Sequence, residues 1–340
     1  MSGRRVTLFS GNLSRRRFLA GAAGLCLSAT VRAEEPGAVR SIGFLMSILR
    51  SNRDVPARVA AFEAGLANLG WTAGREIAID YRWAGGDAES IRREAASLVT
   101  SSPEVIVSTS TPATQALQAR TATIPIVFLN LSDPVGSGVV ESLASPGGNA
   151  TGFTSFEDSL GAKWLETLHQ AAPDLRRVAI INNPATSAFG LRYLRSAQEA
   201  GPGFGIDVVG PGFSDTAALS AFLAGFAEAG RGGLIVTPDL FTNTHWQQIV
   251  TAAAAFATPA IYFARFIVEG GGLMSYGPDY IDQYRIVATY VDRILRGAAP
   301  GELPVQAASK FELVINIGAA AELGLTVPTT LLATATEVIE

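Results

Sequence analysis

The sequence is poor in the residues that most often carry chemistry. Its 340 residues include one cysteine, Cys26, and two histidines, His169 and His245. A single cysteine excludes an intramolecular disulfide, and two histidines exclude a histidine-rich metal site. The motifs H-E-x-x-H, G-x-S-x-G and the EF-hand loop are absent, and G-x-G-x-x-G does not follow the first predicted strand. These absences predict no metal centre and no cofactor, and they favour a binding protein over an enzyme.

An apolar run near the N-terminus has the features of an export signal. Residues 14–19 (Ser-Arg-Arg-Arg-Phe-Leu) precede an apolar, Gly/Ala-rich run over 20–29, and the sequence Val-Arg-Ala follows at 31–33. Paired arginines before such a run are typical of the twin-arginine route, and the small-residue end predicts cleavage near Ala33. We therefore predict a signal peptide at residues 1–33 and a periplasmic location.

Two other interpretations of this run have less support. A membrane anchor needs about 20 apolar residues, and this run is far shorter. Lipid attachment at Cys26 needs a small side chain at the preceding position, where Leu25 stands. No second run approaches membrane length, so the sequence predicts a soluble exported protein.

The charge balance is acidic once the predicted leader is set aside. The chain has 26 Lys and Arg against 30 Asp and Glu; the leader holds six of the basic residues and no acidic one, which leaves a formal net charge of −10. This balance disfavours nucleic acid as a partner, because its binding needs lysine and arginine to neutralise phosphates. The remaining chain, of about 300 residues, has room for two domains of ordinary size.

After the leader, short β-branched runs alternate with amphipathic helical segments. The first pair is a strand over 42–46 and a helix over 56–69, in which apolar residues recur at spacings of three and four. Such alternation is typical of βαβ units around a parallel sheet, so the predicted class is α/β. A Gly/Pro/Asn-rich break at 145–152 interrupts it. The alternation then resumes, with a predicted helix over 244–257, up to a second break at 270–272.

The two halves of this pattern predict two doubly wound lobes. We assign residues 38–152 and 278–303 to the first lobe, and residues 153–276 and 304–340 to the second. Ligands of such folds bind at the carboxyl ends of parallel strands and in clefts between domains. Helix N-termini with unpaired N–H groups converge at those positions.

Small, hydroxylated, amide-bearing or aromatic side chains follow the predicted strands, and Thr111 is the predicted N-cap of the helix that begins at Pro112. The candidate ligand-binding residues are Ser47, Ser108, Ser110, Thr111, Asn130, Asp133, Asn182, Ser187, Asp239, Tyr262 and Tyr276. Hydroxyls and N–H groups at a helix N-terminus suit a carboxylate, Asp133 or Asp239 suits an ammonium group, and tyrosines can stack on an apolar group. Each residue alone is also what a cap or turn of any α/β protein requires.

Several short motifs, taken in order, resemble a known family. They are Thr-Pro-Ala at 111–113, Asp-Pro-Val-Gly at 133–136, Ser-Pro-Gly-Gly-Asn-Ala-Thr-Gly at 145–152, Lys-Trp-Leu-Glu at 163–166, Ser-Tyr-Gly at 275–277, Tyr-Val-Asp-Arg-Ile-Leu-Arg-Gly at 290–297 and Lys-Phe-Glu-Leu-Val-Ile-Asn at 310–316. Together they resemble the ABC-transporter substrate-binding family that includes the tryptophan-binding protein TrpX. The likeness extends over about 42–339.

This resemblance implies a type I periplasmic-binding-protein fold, in which two Rossmann-like lobes joined by three crossovers clamp a ligand. It also implies delivery of the ligand to a membrane permease driven by a cytoplasmic ATPase. By position, the family's ligand-contacting loops correspond to Ser47, Ser110, Thr111 and Asp133 in the first lobe and to Asn182, Asp239 and Tyr262 in the second.

The sequence and the resemblance together lead to the hypothesis of a monomeric binding protein that performs no reaction and closes at hinges near 148–152, 270–277 and 303–305. An amino acid with an aromatic or branched side chain is the first candidate ligand, and a small aromatic acid is the second. Two other functions stay open: a periplasmic sensor that presents its ligand to a membrane kinase, and an exported enzyme. Neighbouring permease and ATPase genes would favour transport, and turnover of a substrate would establish an enzyme.

Overall fold

The computed structural model describes residues 39–155, 157–184, 189–228 and 230–340. The predicted leader and Ser187 lie outside these residues. Within them, no helix combines the length and the apolar composition that crossing a membrane requires.

Strands and helices alternate along most of the described chain. The strands are β1 (Arg40–Met46), β2 (Ile77–Trp83), β3 (Val105–Ser108), β4 (Ile126–Leu131), β5 (Ala150–Thr154), β6 (Arg177–Ile181), β7 (Asp207–Val209), β8 (Gly232–Val236), β9 (Ala260–Tyr262), β10 (Met274–Pro278), β11 (Gln306–Ala307), β12 (Phe311–Asn316) and β13 (Glu337–Ile339). The helices are α1 (Val55–Asn68), α2 (Ala88–Thr100), α3 (Thr111–Gln118), α4 (Leu160–Ala171), α5 (Gly190–Phe204), α6 (Thr216–Glu228), α7 (Leu240–Thr244), α8 (Trp246–Ala255), α9 (Arg265–Glu269), α10 (Tyr280–Leu295), α11 (Ile317–Glu322) and α12 (Thr329–Leu332).

These strands form two separate sheets, one in each lobe. The first sheet has the order β11-β5-β4-β3-β1-β2 and the second has the order β13-β12-β10-β9-β8-β6-β7. Neighbouring strands run parallel throughout, apart from the antiparallel pair β10 and β12. The α/β class with two doubly wound lobes, predicted from the alternation, is therefore confirmed.

The central strands are apolar because helices cover both faces of each sheet and bury the side chains on both. In the first lobe, one apolar cluster joins α1 and α10 to one face, and a second cluster joins α2 and α3 to the other. Phe44 and Leu45, neighbours on β1, belong to different clusters because successive side chains of a strand point to opposite faces. A strand buried on both faces needs a continuous apolar run, as β1 has.

Three chain crossings connect the lobes, and each lies a few residues from the predicted hinge. The first lies between β5 and α4, the second between β10 and α10, and the third between β11 and β12. Because β5 and β11 pair with each other in the first sheet, that lobe extends to Thr154 and includes Gln306–Ala307. The predicted boundaries fall at 152 and 303.

The predicted break at 145–152 contains the start of strand β5. Gly152, on that strand, has a φ of +153°, and a Cβ there would lie 2.1 Å from the carbonyl oxygen of Phe128 on β4. Glycine therefore permits a close approach of two backbones, rather than a turn. The predicted helix over 244–257 corresponds to α8, which spans Trp246–Ala255, and a separate short helix, α7, ends just before it at Thr244.

Candidate functional site

A cavity of about 650 Å³ lies between the two lobes, at the carboxyl ends of strands from both sheets. Its volume is within the range typical of small-molecule sites. First-lobe residues on its wall include Ser47, Arg58, Thr109, Ser110, Thr111, Gln115, Asn130, Ser132, Asp133 and Ser137. Second-lobe residues include Phe189, Arg192, Asp239, Asn243, Phe263 and Phe266, and Tyr280 lines the cavity from the start of α10.

Hydroxyl groups at the ends of β1 and β3 form one connected patch of the first-lobe wall. The Ser47 and Ser110 Oγ atoms lie 2.6 Å apart, and the Ser47 backbone N–H donates to Thr109 Oγ1 at 2.9 Å. Ser110 is the N-cap of α3, because its Oγ accepts from the Ala113 N–H at 3.2 Å. The prediction of Thr111 as N-cap was therefore one residue too late. Hydroxyls beside a helix N-terminus suit a carboxylate.

Asp133 follows β4 and has two protein partners. Its Oδ1 accepts from the Gly136 N–H at 2.7 Å, and its Oδ2 lies 2.8 Å from Nη2 of Arg192 on α5. A Cβ at position 136 would lie 2.1 Å from Asp133 Oδ2, so a larger residue there would displace this carboxylate. The Asp133–Arg192 ion pair joins the two lobes across the cavity.

A second ion pair between lobes involves residues that are absent from the cavity wall. Arg53, just before α1, places Nη2 3.0 Å from Glu269 Oε2 on α9. Glu269 also accepts from Arg265, which reaches Glu312 and Glu337 as well. Burial raises the pKa of the Glu312 carboxyl to about 7, although Arg265 opposes the rise.

Asn130 connects the cavity wall to the first chain crossing. It is a non-glycine residue with a φ of +60°, at a register irregularity between β4 and β5. Its Oδ1 lies 3.0 Å from Oγ of Ser155, which follows β5, and the same Oγ lies 2.6 Å from Oε1 of Gln283 on α10. Ser155 has one hydroxyl proton, and Gln283 Nε2 has no partner among the described residues. If the Gln283 amide turns Nε2 toward Ser155, the Ser155 hydroxyl accepts from Nε2 and gives its one proton to Asn130 Oδ1.

On the second-lobe wall, Asp239 is the N-cap of α7 in a capping box with Thr242. Its Oδ1 accepts from the Thr242 N–H at 2.9 Å, and its Oδ2 accepts from the Asn183 N–H at 3.0 Å. Burial nevertheless raises the pKa of Asp239 to about 6, because the backbone donors offset only part of the desolvation.

Aromatic rings form the rest of the second-lobe wall. Phe263 directly follows β9 and is 3% exposed, and its ring centroid lies 6.0 Å from that of Phe266 on α9. Phe189, just before α5, packs edge-on against Tyr193, and the Arg192 guanidinium lies 5.2 Å from its ring. This wall suits an apolar or aromatic part of a ligand.

Six of the eleven predicted site residues meet in the cavity wall: Ser47, Ser110, Thr111, Asn130, Asp133 and Asp239. Four others lie elsewhere in the described chain. Ser108 is buried with its Oγ 2.7 Å from Thr114 Oγ1, and Asn182 is buried against Gly190. Tyr262 is 2% exposed in the second-lobe core, and Tyr276 stacks on Phe311. Ser187 lies outside the described residues.

Several wall residues have no counterpart in the sequence prediction, namely Arg58, Arg192, Phe189, Phe263, Phe266 and Tyr280. Phe263 had a usable signal, because it directly follows β9 just as Ser47 follows β1. Arg58 and Arg192 lie on helices, where a charged residue is usually interpreted as part of a solvated face.

Two doubly wound lobes around a ligand-sized cavity are the architecture of a clamp-type binding protein. The chain belongs to the ABC transporter substrate binding protein family, whose model matches residues 51–339. Members of this family bind small-molecule ligands rather than catalyse reactions. The family resemblance predicted from the motifs is confirmed, as is the type I periplasmic-binding-protein fold.

Three individual proteins illustrate the likeness. A tyrosine-binding protein of Clostridioides difficile (strain R20291) is 25% identical over 256 residues, which are 75% of this chain and 73% of that protein. A crystal structure of a conserved domain protein from Vibrio cholerae superposes with a TM-score of 0.80 at 30% identity, covering 88% of this chain and all of that one. A Streptococcus pneumonia structure in complex with L-Trp superposes with a TM-score of 0.78 at 24% identity, covering 89% of this chain and all of that one.

Proposed function

We propose that this protein is the extracytoplasmic solute-binding component of an ABC importer and clamps an amino acid between its lobes. The observation that carries the proposal is the two-sided cavity: hydroxyls and a helix N-terminus line the first-lobe side, and aromatic rings line the second. A ligand with a carboxylate at one end and an apolar side chain at the other fits both sides. The names of the tyrosine-binding and L-Trp-bound relatives support an aromatic side chain.

In the proposed binding mode, the ligand carboxylate meets Ser47, Ser110 and Thr111 at the start of α3. Its ammonium group pairs with one of the two cavity carboxylates, Asp133 or Asp239. Each of these carboxylates has two hydrogen-bond or ion-pair partners in the protein and keeps further acceptor capacity. The side chain then packs on the aromatic rings of the second lobe.

Closure follows from contact with both walls. Ligand binds the first lobe, and the second lobe rotates onto it at the three crossings near 155–159, 279 and 308–310. Only a ligand that touches both lobes favours the closed form, because a population shift requires different affinities for the two states. Asn130 lies at the wall and hydrogen-bonds Ser155 in the first crossing, so it is the residue expected to relay ligand contact to the hinge.

The export and partner assignments belong to the same proposal. The twin-arginine leader would direct the chain to the periplasm, where cleavage near Ala33 releases a monomeric acidic protein. The closed form would then be recognised by an inner-membrane permease. The protein would release its ligand chemically unchanged.

The test uses the mature chain from Glu34, titrated calorimetrically with tyrosine, tryptophan, phenylalanine, leucine and indole-3-acetate. At 100 times Kd a ligand should add about 2.7 kcal/mol to the free energy of unfolding, which raises the Tm by several degrees. Mass spectrometry of gently purified protein should find the same compound. Absence of binding to every amino acid in this panel, or recovery of a chemically altered ligand, would reject the proposal.

A further inference from the structure

Four charged side chains of the described chain line the cavity: Arg58, Asp133, Arg192 and Asp239. Arg58 pairs with Asp54 at 3.1 Å. Asp133 and Arg192 pair with each other at 2.8 Å. Asp239 has no cationic partner among the described residues, and its oxygens accept from the backbone N–H groups of Asn183 and Thr242. Its charge is therefore the one in this wall that the described part of the protein leaves uncompensated.

An uncompensated carboxylate in a partly desolvated wall favours a cation. Burial raises the pKa of Asp239 to about 6, because the backbone donors make up only part of the lost hydration. A carboxylate has roughly four acceptor positions, more than these donors occupy. An ammonium group supplies the missing positive charge and donates to the positions that remain.

A second acceptor lies one helical turn further along the chain. Asn243 lines the same wall, and its backbone N–H donates to the Asp239 carbonyl oxygen at 2.9 Å. Its side-chain amide has no hydrogen-bond partner in the described part of the chain. Residues four apart on a helix are neighbours on its surface. Because an ammonium group has three N–H donors, a carboxylate with an amide oxygen beside it suits this group better than either acceptor alone.

The carboxylate and the ammonium group of the ligand are then held by different lobes. Ser47 and Ser110, at the start of α3, receive the carboxylate on the first lobe, and Asp239 receives the ammonium group on the second. An α-amino acid carries both groups on one carbon atom, so a ligand that makes both contacts holds the lobes together. A carboxylic acid without the amino group makes only the first contact, and it brings a second negative charge into the cavity beside Asp239.

We propose that Asp239 and Asn243 form the ammonium site of this protein and make it select α-amino acids over carboxylic acids that lack the amino group. Asp133 instead holds the lobes together through its ion pair with Arg192. This inference rests on the proposed function, because it assumes that the ligand carboxylate lies at the start of α3. It extends that function by assigning the ammonium group to one carboxylate and by ruling out simple aromatic acids as ligands.

The experiment compares amino acids with the same molecules in which hydrogen replaces the ammonium group. The pairs are L-tyrosine with 3-(4-hydroxyphenyl)propanoate, L-tryptophan with 3-(indol-3-yl)propanoate and L-leucine with 4-methylpentanoate, each titrated calorimetrically at neutral pH. In the wild-type protein, the amino acid that binds most tightly should bind about tenfold to a hundredfold more tightly than its analogue. This is the factor expected for hydrogen bonds to a charged group.

Two variants then compare the two cavity carboxylates. Asp239→Asn keeps the side-chain shape and a capping oxygen for α7 but removes the charge. It should weaken the amino acid and leave the analogue bound as well or more tightly, because the anion no longer meets a carboxylate. Asp133→Asn, whose native charge Arg192 already balances, is the matched comparison. The ratio of the two affinities should fall at least about fivefold further in Asp239→Asn than in Asp133→Asn.

Equal weakening of both ligands in Asp239→Asn would indicate a merely structural role and overturn the inference. A larger effect of Asp133→Asn, or a wild-type ratio below about threefold, would overturn it as well while the importer proposal stands. If Asp239→Asn does not fold, Asn243→Ala decides: it should lower the ratio at least about threefold, and an unchanged ratio rejects the site. Binding of no amino acid at all would reject both the inference and the proposed function.

Discussion

The two lobes line the same cavity with side chains of different chemistry. The first lobe contributes mainly hydroxyls, amides and the N-terminus of α3, each with a direction in which it bonds. The second lobe contributes three phenylalanines, whose contacts depend on shape and burial. This difference assigns separate tasks to the lobes: the polar wall orients a ligand, and the apolar wall contributes stabilisation when it covers the ligand. The following predictions test that division, beginning with the largest expected effect.

Truncation of a side chain in the apolar wall should lower the stability of the protein more than any other change considered. Phe263→Ala removes a ring that is 3% exposed, so we expect the free energy of unfolding to fall by about 3–5 kcal/mol. Phe263→Leu keeps most of the apolar volume and should cost about 1–1.5 kcal/mol. Urea unfolding at constant pH measures both. A loss below 1 kcal/mol in the alanine variant would mean that Phe263 is not a packed part of the wall.

Asp239 should make stability depend on pH. Its pKa is raised to about 6 in the folded protein, from an ordinary value of 3.8, so the folded chain binds this proton more tightly than the unfolded chain. The resulting stabilisation is complete below about pH 4 and is lost as pH rises through about 6, by about 3 kcal/mol. In Asp239→Asn this decline should disappear, whereas the contribution of Glu312, with a pKa of about 7, remains in both proteins.

The Asp239→Asn variant can also show which of the two carboxylates, Asp133 or Asp239, pairs with the ligand ammonium group. If Asp239 does so, ligand affinity should rise between pH 5 and pH 7 in the wild-type protein, because the paired form is the ionised one. The rise should be absent in Asp239→Asn. Calorimetric titrations at three pH values measure it, and an unchanged pH profile in the variant would assign the ammonium group to Asp133 instead.

Ser110 caps helix α3 and also lines the cavity, and substitutions can separate these two roles. Ser110→Ala removes the N-cap of α3 and should cost about 1 kcal/mol of stability. Ser110→Asp keeps a capping oxygen and should retain wild-type stability, yet its negative charge should greatly weaken binding of a ligand carboxylate. If Ser110→Asp binds the ligand as well as the wild-type protein does, the carboxylate does not lie at the start of α3.

The smallest effect is expected away from both walls, at the Arg53–Glu269 ion pair. Arg53 is 70% exposed, and exposed pairs contribute about 0.2–1 kcal/mol. Arg53→Gln should therefore change the apparent ligand affinity by less than about fivefold, and the change should vanish in 1 M salt. A larger effect that resists salt would show that this contact, rather than the walls, dominates lobe closure.

The polar wall was predictable because its position follows from the order of strands. Parallel strands end at one edge of a sheet, so Ser47, Ser110, Asn130 and Asp133, which lie on or after three different strands, converge there. The lobes were predictable for a related reason, since the alternation of strands and helices admits few topologies.

The apolar wall was harder to predict because a residue that lines a cavity resembles one that fills a core. Tyr262 and Phe263 are adjacent and equally buried, yet the second lines the cavity and the first packs in the core. Successive side chains on an extended strand point in opposite directions. When all of them are apolar, the sequence does not show which of the two alternating sets faces the cleft. Arg58 could not be predicted for another reason. It is covered by Tyr280 and Tyr284, which lie on a helix far later in the chain.

The three chain crossings have a thermodynamic consequence for recognition. Two halves of a site on separate molecules would lose translational and rotational freedom on meeting, at an estimated 4–15 kcal/mol. Tethering at three places turns that encounter into an intramolecular event at high effective concentration. A ligand as small as an amino acid can therefore hold the two lobes closed. It could not hold them together if they were separate molecules.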